Sequence, residues 1–412
     1  MSAVRKNDAI YEIMHMEQVV AVVSGTGRAA IFSEPFMPYD LYLEPIGFEN
    51  SANTGNQSGC AQSGMRVNSG EEVKTGGFSE TDWIDTMLGN LDNFYHWCAS
   101  RILSLDRKYA KEIMNSLGVA QAVTDRDRAE ITLSYHCVTL TDVFWVRTQG
   151  EKVTFAELNL YDNPLNEALV ELSLRGRQMT VTNRELAPDL STKGFFPKAW
   201  IRRNDGFWLL KDGDEDAVKR ELAASRICQC FDIPQVIYQE YQYQGQMVTR
   251  SRMITSKEYS MVSKMAFDIY ACNHDLDALA VCKELDPVTY YGMNILDYLT
   301  GNTDRHPENW GFLIDNQTNR WIRLYPLMDF NQCFLSYDSL DGAGCQTVLP
   351  QRMTQREAAI EAVRMIGLRQ ICDVDRRVFG GMESEAVMFE RRFRELQAAD
   401  RREKRSSIQL ST

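Results

Sequence analysis

The sequence predicts an α+β protein of two lobes, one rich in strands and one helical, behind an amino-terminal extension. Three observations point there. Residues 199–254 alternate short strand-like runs around one helical stretch; beyond Ser256 the apolar pattern turns mainly helical; and a turn-rich segment at 302–309 opens a further hairpin. With 412 residues the chain is long enough for about two or three domains and a sizeable core. Its 45 Lys+Arg against 57 Asp+Glu give a net charge of −12, which argues against a protein that coats nucleic acid or an anionic membrane. Neither direct nucleic-acid binding nor a membrane partner is therefore expected, although a local basic site stays open. A hydrophobic fraction of 44% and a charged fraction of 25% are those of an ordinary globular protein. No apolar run approaches the roughly 18 to 20 residues that cross a bilayer. Residues 1–8 are not followed by an apolar stretch with a small-residue cleavage site, so the expected location is the cytoplasm.

Ten cysteines are scattered along the chain, some in apolar settings such as Cys228 and Cys230 beside Ile227 and Phe231. Reduced core thiols are expected. No paired C-x-x-C motif occurs and the five histidines have no ligand-like spacing, which argues against a structural zinc site.

Along the chain, residues 18–23 and 29–32 read as strands flanking Ser24-Gly25-Thr26-Gly27. Gly25-x-Gly27-x-x-Ala30 invites a dinucleotide-binding reading, but that motif needs a helix after the glycines, and Pro35 and Pro38 follow almost at once. A hairpin turn fits better. Residues 50–78, dominated by Gly, Ser, Asn, Thr and Gln, predict a long mobile loop. Asp82 then caps a predicted helix whose Trp83, Met87, Leu91 and Phe94 read as core. A helix is predicted over 106–117, ending at Gly118, and a strand over 138–147. No motif assigns a role to residues 1–185.

Residues 200–202 and 207–211 form a predicted hairpin around Asn204-Asp205-Gly206, with Lys211 at its end. Asp214, Glu215 and Asp216 supply the acidic first turn of a helix running to about Phe231, where Pro234 stops it. Two more strands follow at 236–241 and 247–254, separated by Gly245. The closing basic run 401–405 reads as the solvated end of an amphipathic helix.

The informative stretch is Asn302-Thr303-Asp304-Arg305-His306-Pro307-Glu308-Asn309. An Asp is followed five places later by an Asn, the spacing of the protein-kinase catalytic loop H-R-D-x-x-x-x-N. Phosphoryl transfer needs one carboxylate to accept or orient the proton of the attacking hydroxyl, and an amide oxygen nearby for Mg²⁺. A strand at 310–314 turns at 316–319 and returns at 321–324, ending in Met328-Asp329-Phe330-Asn331. A hairpin of that length brings Asp329 beside Asn309, where a second oxygen ligand belongs.

These loops resemble the catalytic and metal-binding loops of HipA-like serine/threonine kinases, and phosphoinositide kinases carry a similar D-R-H-x-x-N loop. The resemblance runs from about Leu186 to Phe334 and implies a two-lobed protein-kinase-like fold. It divides the chain into an amino-terminal region 1–185, an ATP-binding lobe 186–256 and a helical lobe 257–412. It implies Asp304 as catalytic base, Asn309 and Asp329 as Mg²⁺ ligands, Lys211 as the lysine on the α/β-phosphates, and Glu221 as its ion-pair partner, with Glu215 an alternative. The 189–200 segment occupies the place of the phosphate-covering loop, with Gly194 its one glycine. The family's loop carries a serine that can be autophosphorylated and then leaves the site, and Ser191 or Thr192 is the counterpart. Lys198 and His306 are possible phosphate contacts, although a strand lysine is more often exposed. Adenine would lie against residues 252–254, including Met253, whose backbone groups would read its edge.

Two departures stand out. Asn331 replaces the glycine of D-F-G, and Arg305 and His306 follow the Asp instead of preceding it, so the H-R pair's orienting roles cannot be copied. ATP and Mg²⁺ are the implied cofactors, and a protein Ser/Thr hydroxyl the implied acceptor. A small molecule or lipid headgroup on the same fold is the second reading. The third is a nucleotide-binding protein without turnover, such as a toxin–antitoxin partner or regulatory pseudokinase. An antitoxin-like or regulatory protein partner is possible in each.

Overall fold

The computed structural model describes residues 9–48, 80–102, 124–163, 197–349 and 351–410. It is an α+β fold with three antiparallel sheets. The predicted loop 50–78, the predicted helix 106–117, the boundary at 185/186 and Ser191, Thr192 and Gly194 lie outside the described residues.

The first sheet comprises β1 (Ile10–His15), β2 (Gln18–Ser24), β3 (Ala29–Ile31) and, after the helices α1 (Glu80–Ala99) and α2 (Asp125–Ser134), β4 (Phe144–Thr148), in the order β3-β2-β1-β4. Residues 24–28 form the expected hairpin turn: β2 and β3 are antiparallel, and the Gly27 N–H donates to the Ser24 carbonyl at 2.9 Å. Gly27 sits under α1, where an added Cβ would lie 1.9 Å from the Met87 carbonyl oxygen. Its glycine therefore answers to helix packing and not to a phosphate. Phe94, Trp97 and Cys98 of α1 pack with Ile13, Val20, Ala21 and Val23 of the sheet. Two expectations for this helix fail. The helix is already formed at Glu80, so Asp82 lies inside it, and Trp83 is 43% exposed because the sheet covers only the carboxyl-terminal part of the helix. The predicted strand 138–147 shortens to β4, since His136 and Cys137 take positive φ and 138–143 run as a loop held by Arg101.

A one-turn helix, α3 (Phe155–Leu158), closes this region. The second sheet follows with β5 (Lys198–Arg203), β6 (Gly206–Lys211), the helix α4 (Glu215–Cys228), β7 (Tyr238–Tyr243) and β8 (Gln246–Arg252), ordered β5-β6-β8-β7. Asp214 caps α4 by accepting the Ala217 N–H at 2.6 Å.

The remainder is mainly helical, as expected, with one strand the pattern missed. That strand is β9 (Tyr259–Ser263), followed by α5 (Lys264–Asn273), α6 (Ala278–Leu285), α7 (Pro287–Thr300), β10 (Gly311–Asp315), β11 (Arg320–Leu324), α8 (Gln355–Ile366) and α9 (Glu383–Leu410). β9 exists because β10, some fifty residues on, supplies its hydrogen bonds in the register Gly311↔Ser263 to Asp315↔Tyr259. α7 is buried from Thr289 to Thr300 and forms the largest core with α4, β10, α8 and α9. Among the described residues no helix is long and apolar enough to cross a membrane.

The amino-terminal region is hydrogen-bonded to the rest. Tyr39 Oη donates to the Asn319 carbonyl at 2.7 Å, and Asn319 Nδ2 returns bonds of 3.0 Å to the Pro35 and Met37 carbonyls. Thr255 Oγ1 donates to the Leu140 carbonyl at 2.6 Å and the Met261 N–H to that of Thr141 at 2.8 Å. Residues 139–141 therefore lie against the segment that joins the second sheet to the helices, and residues 35–39 against the turn at Asn319.

At Gly311 the β9 backbone comes so close that an added Cβ would lie 2.0 Å from the Val262 carbonyl oxygen. Because a backbone atom cannot rotate away, Gly311→Ala is expected to lower unfolding free energy by about 1–3 kcal/mol or more, read as a lower urea midpoint. An unchanged midpoint would contradict this packing.

Candidate active site

The site begins where α7 ends. Asn302, buried, donates from Nδ2 to Asp297 Oδ1 at 3.1 Å and accepts the Asp304 N–H on Oδ1 at 3.1 Å. Arg305 is 2% exposed and grips Asp297 with both faces of its fork: Nε to Oδ2 and Nη2 to Oδ1, each 2.9 Å. Its Nη1 donates to the Asn309 carbonyl at 2.9 Å and to the Met328 carbonyl at 2.5 Å. One guanidinium thus fastens the 302–309 segment to α7 and to the residue before Asp329. Asn309 Nδ2 donates to the Asp304 carbonyl at 2.8 Å and lies 3.3 Å from Asp304 Oδ2, which turns its Oδ1 away from Asp304. His306 Nε2 lies 3.8 Å from Asp304 Oδ1, with the imidazole about 41% exposed.

The β10–β11 hairpin brings the chain back, as its length predicts. The Tyr325 N–H pairs with the Gly311 carbonyl at 2.8 Å, and the chain then passes to Asp329, whose φ is +60° and whose N–H donates to Tyr238 Oη at 3.0 Å. Around the Asp329 carboxylate the second sheet delivers two lysines. Lys198 on β5 and Lys211 on β6 are directly opposite in register; Lys211 Nζ donates to Asp329 Oδ1 at 3.0 Å and Lys198 Nζ to Oδ2 at 3.3 Å. Lys211 also donates to Glu221 Oε1 on α4 at 2.8 Å, and Glu221 Oε2 accepts from Thr249 Oγ1 at 2.5 Å. Glu215, the alternative partner, is exposed and pairs instead with Lys219.

These charges are buried together. Burial alone would raise the Asp329 pKa, but the two ammonium groups outweigh it and hold the carboxyl well below the ordinary aspartate range. Burial would likewise lower Lys211, and Asp329 and Glu221 outweigh it, so the lysine stays protonated. Asp304 behaves oppositely. Burial raises its pKa; His306 pulls it down, nearby Asp329 adds to the rise, and the net shift is upward.

Asp304, His306, Asn309, Asp329, Lys198 and Lys211 line one cleft of about 470 Å³. Trp200, Leu209, Val236 and Met253 add apolar wall, and Thr139 and Thr141 of the amino-terminal region complete another side. Two expectations change. Lys198 is not an exposed strand lysine: it is 6% exposed, because Asp329 draws its ammonium inward. The Met253 N–H is committed to the Phe207 carbonyl at 3.0 Å, so Met253 offers the cleft its side chain and not that donor. Among the described residues no cluster of three or more His, Cys, Asp or Glu exists, and nine cysteines are free thiols, seven of them buried. A Mg²⁺ site does not require such a cluster, since the ion takes one or two carboxylates with substrate phosphates and water. Asp329 and Asn309 fit that donor set. Asn331, two residues after Asp329, lines the same cleft and has a buried Oδ1 without a protein partner, which adds a further oxygen of the right kind.

No family model and no curated protein matches the chain. Two of the solved structures to which it is similar are a kinase and a toxin–antitoxin protein. One is the Helicobacter pylori proinflammatory kinase CtkA, at 15% identity and a TM-score of 0.41, over 52% of this chain and 92% of that one. The other is HipA of Shewanella oneidensis MR-1, solved with HipB and operator DNA, at 12% identity and a TM-score of 0.43, over 74% of this chain and 78% of that one.

Four residues of the site escaped sequence reasoning: Asp297, Tyr238, Thr249 and Asn331 as a buried polar group. Arg305 was noticed without a role. An Asp in the last turn of a helix, seven and eight positions before Asp304 and Arg305, carries no local signal, and only the buried fork of Arg305 reveals its purpose. Arg305→Met would leave Asp297 buried without its counter-ion, which is expected to cost about 3–5 kcal/mol of unfolding free energy. Adding Asp297→Leu should recover most of that loss in denaturant titrations. A single variant as stable as wild type would contradict the assignment of Arg305 as the tie between the two loops.

Proposed function

We propose that this chain is an ATP- and Mg²⁺-dependent kinase of the HipA-like type that transfers the γ-phosphoryl group to serine or threonine hydroxyls of a protein, Ser191 or Thr192 of its own chain included. The observation that carries the reading is the set of buried links among Lys211, Glu221 and Asp329, facing Asp304 and Asn309 across one cleft. Lys211 takes the α/β-phosphates and Lys198 a neighbouring phosphate oxygen; the apolar wall at Leu209, Val236 and Met253 receives the adenine. Asp329 and Asn309, with Asn331 beside them, would hold Mg²⁺, and the ion would supply neutralisation of phosphate charge. Asp304 accepts the hydroxyl proton as the acceptor oxygen bonds to the γ-phosphorus and the bond to the β-bridging oxygen breaks, with ADP as leaving group. The upward shift of Asp304 suits that task, since a carboxylate with raised proton affinity is the better base. His306, at the mouth, steadies the Asp304 carboxylate or meets phosphate.

An intact base and both metal donors favour turnover over a binding-only role. A regulatory protein partner of antitoxin type belongs to the proposal, as does a cytoplasmic location. The net charge of −12 speaks only against the chain coating nucleic acid by itself.

The test is intact and peptide mass spectrometry after incubation with Mg²⁺ and ATP, beside Asp304→Ala and Asp329→Asn. Phosphate is expected on the wild type and reduced by a factor of about 10² to 10⁴ for Asp304→Ala. Equal labelling of the variants would remove the proposed roles; ATP turnover with no labelled protein would move the acceptor to a small molecule or lipid headgroup. Because the base works ionised, the rate should fall with decreasing pH through a midpoint above the ordinary aspartate value, an acid limb that a pH profile of kcat/KM reads directly. A rate that held level down to the ordinary aspartate range would exclude Asp304 as the base.

A further inference from the structure

Asp329 is the proposed metal ligand, yet both of its oxygens are already taken, one by each lysine. The four groups Lys198, Lys211, Glu221 and Asp329 sum to zero charge and are all buried. A bare dication approaching Asp329 would meet two ammonium groups 3.0 and 3.3 Å from the oxygens it needs, in a setting with little water to screen the repulsion. Neither lysine has an easy retreat. They face each other across β5 and β6, an arrangement in which like charges oppose pairing unless an anion sits between them. Lys211 keeps Glu221 as a second anion at 2.8 Å, and Lys198 reaches Asp329 at 3.3 Å.

We propose that Lys198 is a tethered counter-ion for the metal position: with no nucleotide bound it holds Asp329 against divalent cations, and a nucleotide's phosphates draw it off, so cation and nucleotide enter together. The inference rests on the phosphotransfer reading for the identity of the nucleotide. Phosphate oxygens can replace Asp329 as the anion between the lysines, and the freed carboxylate then turns to the cation that the phosphates bring. Because such coupling is reciprocal, cation must strengthen nucleotide binding by the same factor that nucleotide strengthens cation binding. Lys198 thereby separates two roles within one pair: Lys211 stays anchored by Glu221 throughout, while Lys198 exchanges partners.

The experiment is Mn²⁺ titration of the full chain, followed by the electron paramagnetic resonance of free Mn²⁺, without nucleotide and with a non-hydrolysable ATP analogue. Removing the tethered charge with Lys198→Met, or with Lys198→Gln should the first variant fold poorly, is expected to tighten Mn²⁺ binding to the nucleotide-free chain by about tenfold and to weaken binding of the analogue. Lys198→Arg keeps the charge and should keep nucleotide-free Mn²⁺ binding weak. Asp329→Asn added to Lys198→Met should abolish the gain, which ties it to this carboxylate. The proposal is overturned if a folded Lys198→Met binds Mn²⁺ no more tightly than wild type, or if nucleotide-free wild type already binds it as tightly as the loaded chain. A wild type that binds no adenine nucleotide sinks the phosphotransfer reading instead, and the nucleotide-free comparison of wild type with Lys198→Met still decides the role of Lys198.

Discussion

The carboxylate of Asp329, buried between the ammonium groups of Lys198 and Lys211, is the interaction on which the rest of the cleft depends. It joins two parts of the chain that share no sheet: the lysines come from β5 and β6, and Asp329 from the segment after β11, 131 and 118 residues away. Charges so thoroughly desolvated are tolerated only when each has its partner, and removing any one strands the others. That constraint explains the surrounding bonds. Glu221 balances the second lysine, Thr249 satisfies the far oxygen of Glu221, and Tyr238 takes the Asp329 N–H and also lies 3.4 Å from Lys211 Nζ. The electrostatics therefore fix how the second sheet sits over the helical part, and with it the width of the cleft.

Arg305 does for the lower wall what Lys211 does for the upper. By binding Asp297 on α7, the Asn309 carbonyl and the Met328 carbonyl, it makes the proposed base, the proposed metal amide and the approach to Asp329 a single rigid unit. The stability of that unit comes from α7, packed on every side in the largest core. The amino-terminal region adds a third wall. Its bonds to Asn319, Thr255 and Met261 hold Thr139 and Thr141 at the cleft, so a region without a motif contributes to the shape of the cleft.

What the sequence made legible was local. The hairpins at 24–28, 203–206 and 315–320 carry turn chemistry, the Asp214 cap starts α4, and the five-residue step from Asp304 to Asn309 needs no tertiary knowledge. The return of Asp329 to the neighbourhood of Asn309 followed from hairpin length, whereas Glu221 as the partner of Lys211 came from the family resemblance alone, with Glu215 left as an alternative. What stayed hidden depends on distant partners. β9 is a strand because β10 pairs with it; Lys198 is buried because Asp329 pulls it in; Trp83 is exposed because the sheet ends before it reaches that turn of α1. The Met253 N–H was open to adenine in sequence terms and is closed by Phe207, a cross-strand neighbour that no spacing rule announces. Tertiary context overrode local pattern in each case, and in three of the four the override lies in the cleft itself.

The most direct measurement is a crystal structure of the chain with Mg²⁺ and a non-hydrolysable ATP analogue. The account predicts Lys198 and Lys211 on phosphate oxygens, Lys211 still bound to Glu221, and Asp329 and Asn309 turned to the cation, with Asp304 facing the γ-phosphate. A nucleotide bound elsewhere, or bound in this cleft with Asp329 still held by both lysines and no cation beside it, would contradict it.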